Sequence, residues 1–381
     1  MKKFFYLLAA VFALTACNTG SDYEWEGGSY YLTEGVFIVQ EGNFGNVNGS
    51  IGYLTYNYID INQWTMNPDI YFSANGTSLK GTINDAAICG NKIYIVGTDE
   101  KTIFVADKTS MVEVDRIKLE LEGNTFKPRH IVVSNNELFV STFEKKVFVI
   151  NSANNTITKT YDCGSYSEGL AIADGYLYVA NSNYASGENS SISKINLATG
   201  TSEEIKTPEM KNVVDVQTAM GRIFYLDSGT YDPVPPHTQK DYGIYELKGK
   251  NSVLVLAATE MCISGNVILG INNPHSYPST GTPEFFAYNI SSGRKNMLTD
   301  GKDISHLEPN KISLDPVSGL VYITCLSKNA GIPQYQDYGF CAVYGLNADS
   351  FANTLTGNYL KTFQCGVGPT YVIPNIKYVQ K

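Results

Sequence analysis

The sequence predicts an all-β chain folded as a seven-bladed β-propeller, on three observations. One buried-strand pattern recurs seven times, no apolar pattern of helical period lasts three turns, and the chain ends on a strand that its first repeat lacks.

The recurring segments are 35–39, 92–96, 137–140, 176–179, 222–226, 266–269 and 320–323. Each is β-branched or aromatic almost throughout and most are introduced by Gly or Asn, the composition of a strand covered on both faces. They open at intervals of 39 to 57 residues, one blade apiece. Repetition of this kind outranks the two domains that 381 residues would otherwise suggest. A second strand follows each segment, as at 102–107, 146–151 and 191–196, and beyond it come a turn such as 196–200 or 289–293 and a variable outer strand such as 112–117.

Six innermost strands precede the shared segments, at 86–88, 130–133, 170–172, 214–216, 261–263 and 311–314. The first repeat has none, and 368–373 has the form of the missing strand. Residues 34–381 are therefore expected to form one ring closed by pairing of the N- and C-terminal strands, which leaves no long open sheet edge. A β-sandwich or a β-helix would leave the two termini unmatched.

Ahead of the ring, Lys2 and Lys3 precede an apolar run over 4–14 and the junction Leu14-Thr15-Ala16-Cys17. The run is shorter than the roughly 20 residues of a spanning helix and reads as a signal peptide, 1–16, cleaved before a lipidated Cys17. Residues 17–33, with Asp22, Glu24 and Glu26, then form an acidic tether outside the cytoplasm, with attachment to a membrane expected by lipid alone. The full chain has 28 basic and 37 acidic residues and a net charge of −9; loss of Lys2 and Lys3 takes the mature chain to −11. Phosphate binding needs a clustered cationic surface, so nucleic acid is not an expected partner. Beyond Cys17 the thiols are Cys89, Cys163, Cys262, Cys325, Cys341 and Cys365, with no CxxC or CxxH pair to mark a zinc site. Cys325 and Cys341 flank one loop, a spacing that leaves a bridge open.

The loops between the two shared strands differ in length. They are short in blades two and three (98–101 and 142–145) and long at 40–50, 181–190, 227–241, 272–284 and 326–339. The long ones carry Phe44, Tyr184, Tyr231, His237, His275, Tyr277, Tyr335 and Tyr338 among Asn, Gly and Pro, flat apolar area with hydrogen-bonding edges. Insertions on one side of a ring are where ligands are usually met, although tolerated insertion alone also produces them. Asp85, Arg129, Glu168, Asp215, Glu260 and Asn310 stand near the starts of the inner strands and are expected at the mouth of the central channel. There they either satisfy backbone groups and channel water or contact a ligand, for which their mixed charge suits a neutral polar molecule.

Catalytic signals are weak. The chain has no His-x-His, His-Glu-x-x-His, calcium-loop or Gly-x-Ser-x-Gly spacing. His237 and His275, on loops of adjacent blades, are read either as solvated surface or as a pair sharing a metal or acid–base work. Trp25 and Trp64 are the only tryptophans, which argues against propellers built on one tryptophan per blade. A non-enzymatic protein without cofactor or metal is expected.

The repeat form, the opening Gly35-Val36-Phe37-Ile38-Val39-Gln40-Glu41-Gly42-Asn43-Phe44-Gly45 and the blade start Lys127-Pro128-Arg129-His130 resemble the YncE-like propellers of Bacteroidetes surface lipoproteins, over nearly the whole mature chain. The acidic stretch after Cys17 resembles their surface-export tag. The resemblance implies a binding protein of the outer membrane, lipid-anchored and exposed at the cell surface. One branch captures cobalamin for an outer-membrane transporter, and this chain is similar to it in size, lipidation and its Glu-Gly-Asn-Phe-Gly opening; no ligand contacts are carried over. Two other readings stay open, because propellers host many functions. One is a glycan-binding or protein-docking propeller of another uptake system; the other is a metal-dependent lactone hydrolase using Glu168, Asp215, Glu260 and Asn310.

Overall fold

Leu320–Ser327 is buried along its whole length and Lys92–Gly97 along all but its first residue, rather than at alternate residues, so each sheet must be covered on both faces. The computed structural model, which describes residues 29–182, 190–275, 281–329, 332, 335–349 and 354–379, shows what covers them. Seven four-stranded antiparallel sheets follow one another as the blades of a β-propeller. The apolar core is correspondingly divided into seven clusters, each shared by two consecutive blades. Tyr94, Val96 and Ile103 of blade two, for instance, pack on Leu138, Val140 and Phe148 of blade three. The last cluster joins Tyr322, Cys341 and Val343 of blade seven to Val36, Ile38 and Leu54 of blade one.

In blades two to seven the inner strands are Ile83–Cys89, Pro128–Ser134, Ser167–Ala173, Val213–Ala219, Glu260–Ser264 and Leu307–Asp315. Blade one takes its inner strand, Pro369–Val379, from the C-terminus, paired antiparallel with Tyr30–Gln40. Closure of the ring by the two chain ends is thus as the sequence predicts. The first strand opens at Tyr30, within the stretch read as tether.

Gln40 reinforces the closure. Its fully buried side chain donates to the Ser50 hydroxyl (3.0 Å) and the Pro68 carbonyl (2.6 Å), and its Oε1 accepts the Gly366 amide from the outer strand of blade seven.

The bridge left open between Cys325 and Cys341 does not form. Cys341 lies opposite Thr324, and Cys325 opposite Phe340, on the neighbouring strand. That one-residue offset turns the two sulfurs to opposite sheet faces, Cys325 into the core between blades six and seven and Cys341 into the core between seven and one. All six described cysteines are free thiols.

Candidate functional site

The inner strands begin on the side of the ring where the long loops lie, and near that end they share a defect. In six blades one residue too many faces the neighbouring strand, between Ile83 and Asp85, Pro128 and Ile131, Ser167 and Leu170, Val213 and Asp215, Pro309 and Lys311, and opposite Ile38 and Gln40 on the C-terminal strand. A bulge of this kind bends its strand and re-aims the side chain it carries. Matched by register, the residues at this level are Asp85, His130, Gly169, Asp215, Glu260, Lys311 and Tyr371, one per blade. Arg129, Glu168 and Asn310, grouped with Asp85, Asp215 and Glu260 in the sequence, stand one residue earlier. Counting from the strand start does not reach His130, Lys311 or Tyr371, because the bulge adds a residue ahead of each.

These side chains are engaged with one another. His130 Nδ1 is 3.2 Å from Asp85 and its Nε2 is 3.5 Å from Glu168, whose same carboxylate receives the Arg129 guanidinium at 2.9 Å. Across the ring Lys311 pairs with Glu260 at 2.7 Å, and its ammonium lies 5.7 Å from the centre of the Tyr371 ring, which meets His130 edge-on. Asp215 accepts from the Gln217 amide and the Val216 N–H, and Asn310 donates to the Pro369 carbonyl. Gly169 leaves the room for this: a Cβ on it would stand 2.8 Å from the Asp215 Cα.

Burial sets the protonation of the network. Loss of water opposes a charge on His130, but hydrogen bonds to Asp85 and Glu168 outweigh it and raise its pKa to about 9. Burial likewise works to raise Glu168, yet His130 and Arg129 hold it below the usual carboxylate range. At Asp215, Glu260 and Glu41 desolvation outweighs the attraction of nearby cations, Lys311 among them in each case, and pushes all three up. The network also joins blades. Asp85 accepts the amide of Ile131 in blade three, and the Ser141 and Thr324 hydroxyls each donate to a carbonyl of the next blade, Glu168 and Thr370.

Above this ring stand the loops. Phe44 is 75% exposed at the tip of the blade-one loop, and Tyr335 and Tyr338 are exposed on that of blade seven. In blade five the loop folds into a small hairpin, Thr230–Tyr231 with Gln239–Lys240. Tyr231 meets the His275 ring at 5.9 Å, and the Gln239 and His275 amides both bond across, which joins the loops of blades five and six. His237 turns back on its own loop, Nδ1 3.0 Å from the Asp232 carbonyl. Tyr184, Tyr277 and Cys17 lie outside the described residues.

A cavity of about 620 Å³ opens where the loops are short, lined by Lys127, Phe143, Glu144, Lys145, Ser165 and Tyr166. Phe143 and Tyr166 meet edge to face at 6.0 Å, and Arg129 packs 4.5 Å from the Phe143 ring centre, so this aromatic wall separates the cavity from the channel mouth. The backbone holds it: Phe143 N–H donates to the Lys127 carbonyl, Tyr166 N–H to the Phe143 carbonyl, and Glu144 accepts the Lys127 amide. Attention to the long insertions passes over this place. Its signal is an aromatic residue in each of two brief polar connections, 142–145 and 163–166.

Among the described residues no three His, Cys, Asp or Glu side chains converge as metal ligands, and no helix is long and apolar enough to cross a membrane. Glu168, Glu260 and Asn310 are each held by the partners given above rather than brought together.

Residues 34–128 match the model of a domain of unknown function, DUF5074. No curated protein matches the chain. Among solved structures, the chain is similar to one in the crystal structure of the mitotic checkpoint complex (9% identity, TM-score 0.53, 91% of this chain and 86% of that one). It is also similar to U3-55K (10%, 0.51, 76% and 84%) and to the WD40 repeats of RRP9 (12%, 0.50, 75% and 81%). At such identities the likeness concerns the propeller fold alone.

Proposed function

We propose that this protein is a non-enzymatic binding propeller, anchored at the outer-membrane surface by a lipid on Cys17, whose loop face captures a nutrient for a partner transporter. A corrinoid such as cobalamin is the first ligand to test. The observation that carries the binding role is a division of labour on one face. The ionisable groups of the channel mouth are spent on one another and on backbone, whereas on the same face Phe44, Tyr231, Tyr335 and Tyr338 offer their rings to solvent on blades one, five and seven, and an open hollow of about 620 Å³ lies at blades three and four. Catalysis needs an acid, base or nucleophile free to meet a substrate, and capture needs concave, partly apolar area. A ligand larger than the cavity would extend from the wall of Phe143 and Tyr166 on to the long loops.

Flat exposed rings also suit the faces of sugars, so an oligosaccharide is the second ligand class. The lactone-hydrolase reading has less support, since Glu168 is taken by Arg129 and His130 and Glu260 by Lys311. Titration calorimetry of the purified chain with cyanocobalamin and with an oligosaccharide panel separates the two classes. Micromolar binding of the corrinoid supports capture of that ligand, and absence of heat removes it. Mass spectrometry of the N-terminal peptide reads the anchor, with an unmodified Cys17 overturning it.

A further inference from the structure

On the side of the ring away from the loops, the described surface carries a second apolar group that binding on the loop face leaves unused. Tyr30, Tyr31 and Tyr378 are exposed where the first and last strands run on past the rest of blade one. That blade's third strand is last paired at Gly35 with Thr55, whereas the two terminal strands continue to Tyr30 opposite Val379. Tyr31 and Tyr378 pack together at 5.4 Å. Tyr58 lies at the same end of the blade, its hydroxyl donating to the Thr33 carbonyl, and next to it in sequence Ile59 is 92% exposed.

Ile59 is held out by a built turn. The Asn57 side chain accepts the amides of both Ile59 and Asp60, at 2.9 and 3.2 Å. The Asn57 carbonyl accepts the Trp64 indole N–H at 2.7 Å, and that indole stacks on Tyr56 at 4.3 Å. An isoleucine fixed in water at the same end of the blade as four exposed tyrosines, with the Lys377–Glu34 ion pair among them, makes a corner rich in aromatic and aliphatic surface of the kind that marks an interaction site. Its chemistry is that of a membrane interface, where tyrosine rings sit at headgroup level with their hydroxyls wet and an aliphatic tip enters the acyl boundary.

We infer that this corner rests on the bilayer that carries the anchor. The inference rests on the lipid reading of Cys17, because that reading puts a membrane within reach. Twelve residues, 18–29, separate Cys17 from Tyr30. At full extension they span about 40 Å at most, so the anchor lies within that distance of Tyr30, which is itself one of the exposed tyrosines of this corner. Seated this way, the ring turns its loop face, with Phe44 and the cavity, away from the lipid and towards the medium.

The test places an environment-sensitive fluorophore at Ile59→Cys or, as control, at Phe44→Cys, the six native thiols of the ring being left in place. The chain from residue 17 carries Cys17→Ser and an N-terminal hexahistidine, and is tethered to phosphatidylcholine vesicles containing a nickel-chelating lipid. This puts the protein at a bilayer whether or not Cys17 is lipidated in the cell, so failure of the anchor reading, seen in the mass of the natural N-terminal peptide, is distinct from failure of the patch. The expected result is a blue shift and a severalfold rise in emission at position 59, quenched by brominated lipid, with no change at position 44. Unchanged emission at 59, or an equal change at both positions, overturns the inference.

Discussion

His130 lies 3.2 Å from Asp85 across the boundary between blades two and three, and the Asp85 oxygen it meets also accepts the amide of Ile131. One carboxylate therefore holds an imidazole and a bulge amide of the next blade together. The charge on that imidazole belongs to the folded state. In an unfolded chain His130 titrates near 6.5, whereas in the ring it titrates at about 9. The stabilisation is complete below about pH 6.5 and is lost as pH rises through 9, a change on the order of 3 kcal/mol. Asp215 and Glu260, raised by burial, act in the same direction, since ionising them as pH rises above the ordinary carboxylate range costs the folded state. Glu168, lowered, acts on the acid side, contributing above about 4.5 and failing as pH falls further. Calorimetric melting should show Tm declining by several degrees between pH 6.5 and 9.5, and His130→Gln should flatten that decline. A flat profile in the parent protein would contradict the network.

Gln40 is the second place where one side chain serves several strands. In Gln40→Ala the Gly366 amide and the Pro68 carbonyl lose their buried partner together. Each orphaned group costs about 1–3 kcal/mol, so a loss of roughly 2–5 kcal/mol is expected by urea unfolding, with the slope unchanged. Equal midpoints would show that water replaces the amide without cost.

Gly169 gives a sharper test of packing at the channel. Its backbone needs no left-handed angle, so an alanine is conformationally acceptable there, and only the approach of Asp215 stands against it. Because what a Cβ would meet is the Asp215 backbone as well as its carboxylate, the two inner strands must separate. Gly169→Ala should lose about 1–3 kcal/mol, the usual cost of overpacking. Gly90→Ala, at a turn where a Cβ meets nothing but φ is positive, should lose about 1 kcal/mol for a different reason. Equal melting of Gly169→Ala and the parent would mean that the ring gives way easily at this point.

The ring was legible because each blade buries a strand on both faces, so runs such as Ile93-Tyr94-Ile95-Val96 announce themselves, and because 368–373 matches the strand missing from the first repeat. The channel was half legible. Asp85 and Asp215 are found by looking near strand starts, but a bulge adds one residue per blade, so counting from the start lands on Arg129 rather than His130 and on Asn310 rather than Lys311. The cavity was hidden for another reason. Phe143 and Tyr166 are 23 residues apart on two connections that are short and unremarkable in pattern, and only the ring brings them edge to face. Length of insertion draws attention to what projects, whereas a hollow is made by what does not.

That hollow yields the last prediction, which separates a binding role for Phe143 from a packing one. The ring is half-buried, touching Tyr166 on one side and the Arg129 guanidinium on another, while Arg129 keeps its two-nitrogen grip on Glu168 whether or not the ring is present. Removing it in Phe143→Ala therefore leaves the ion pair of the channel mouth intact and should move Tm by only a few degrees. Aromatic anchors in a cavity wall carry a large share of binding energy, so affinity for any ligand seated there should fall at least tenfold, about 1.4 kcal/mol. Phe44→Ala, out on a long loop, should cost affinity only for a ligand large enough to leave the cavity. Calorimetric titration of both variants beside their melting curves reads the difference. A large drop in Tm with affinity unchanged would assign Phe143 to the scaffold.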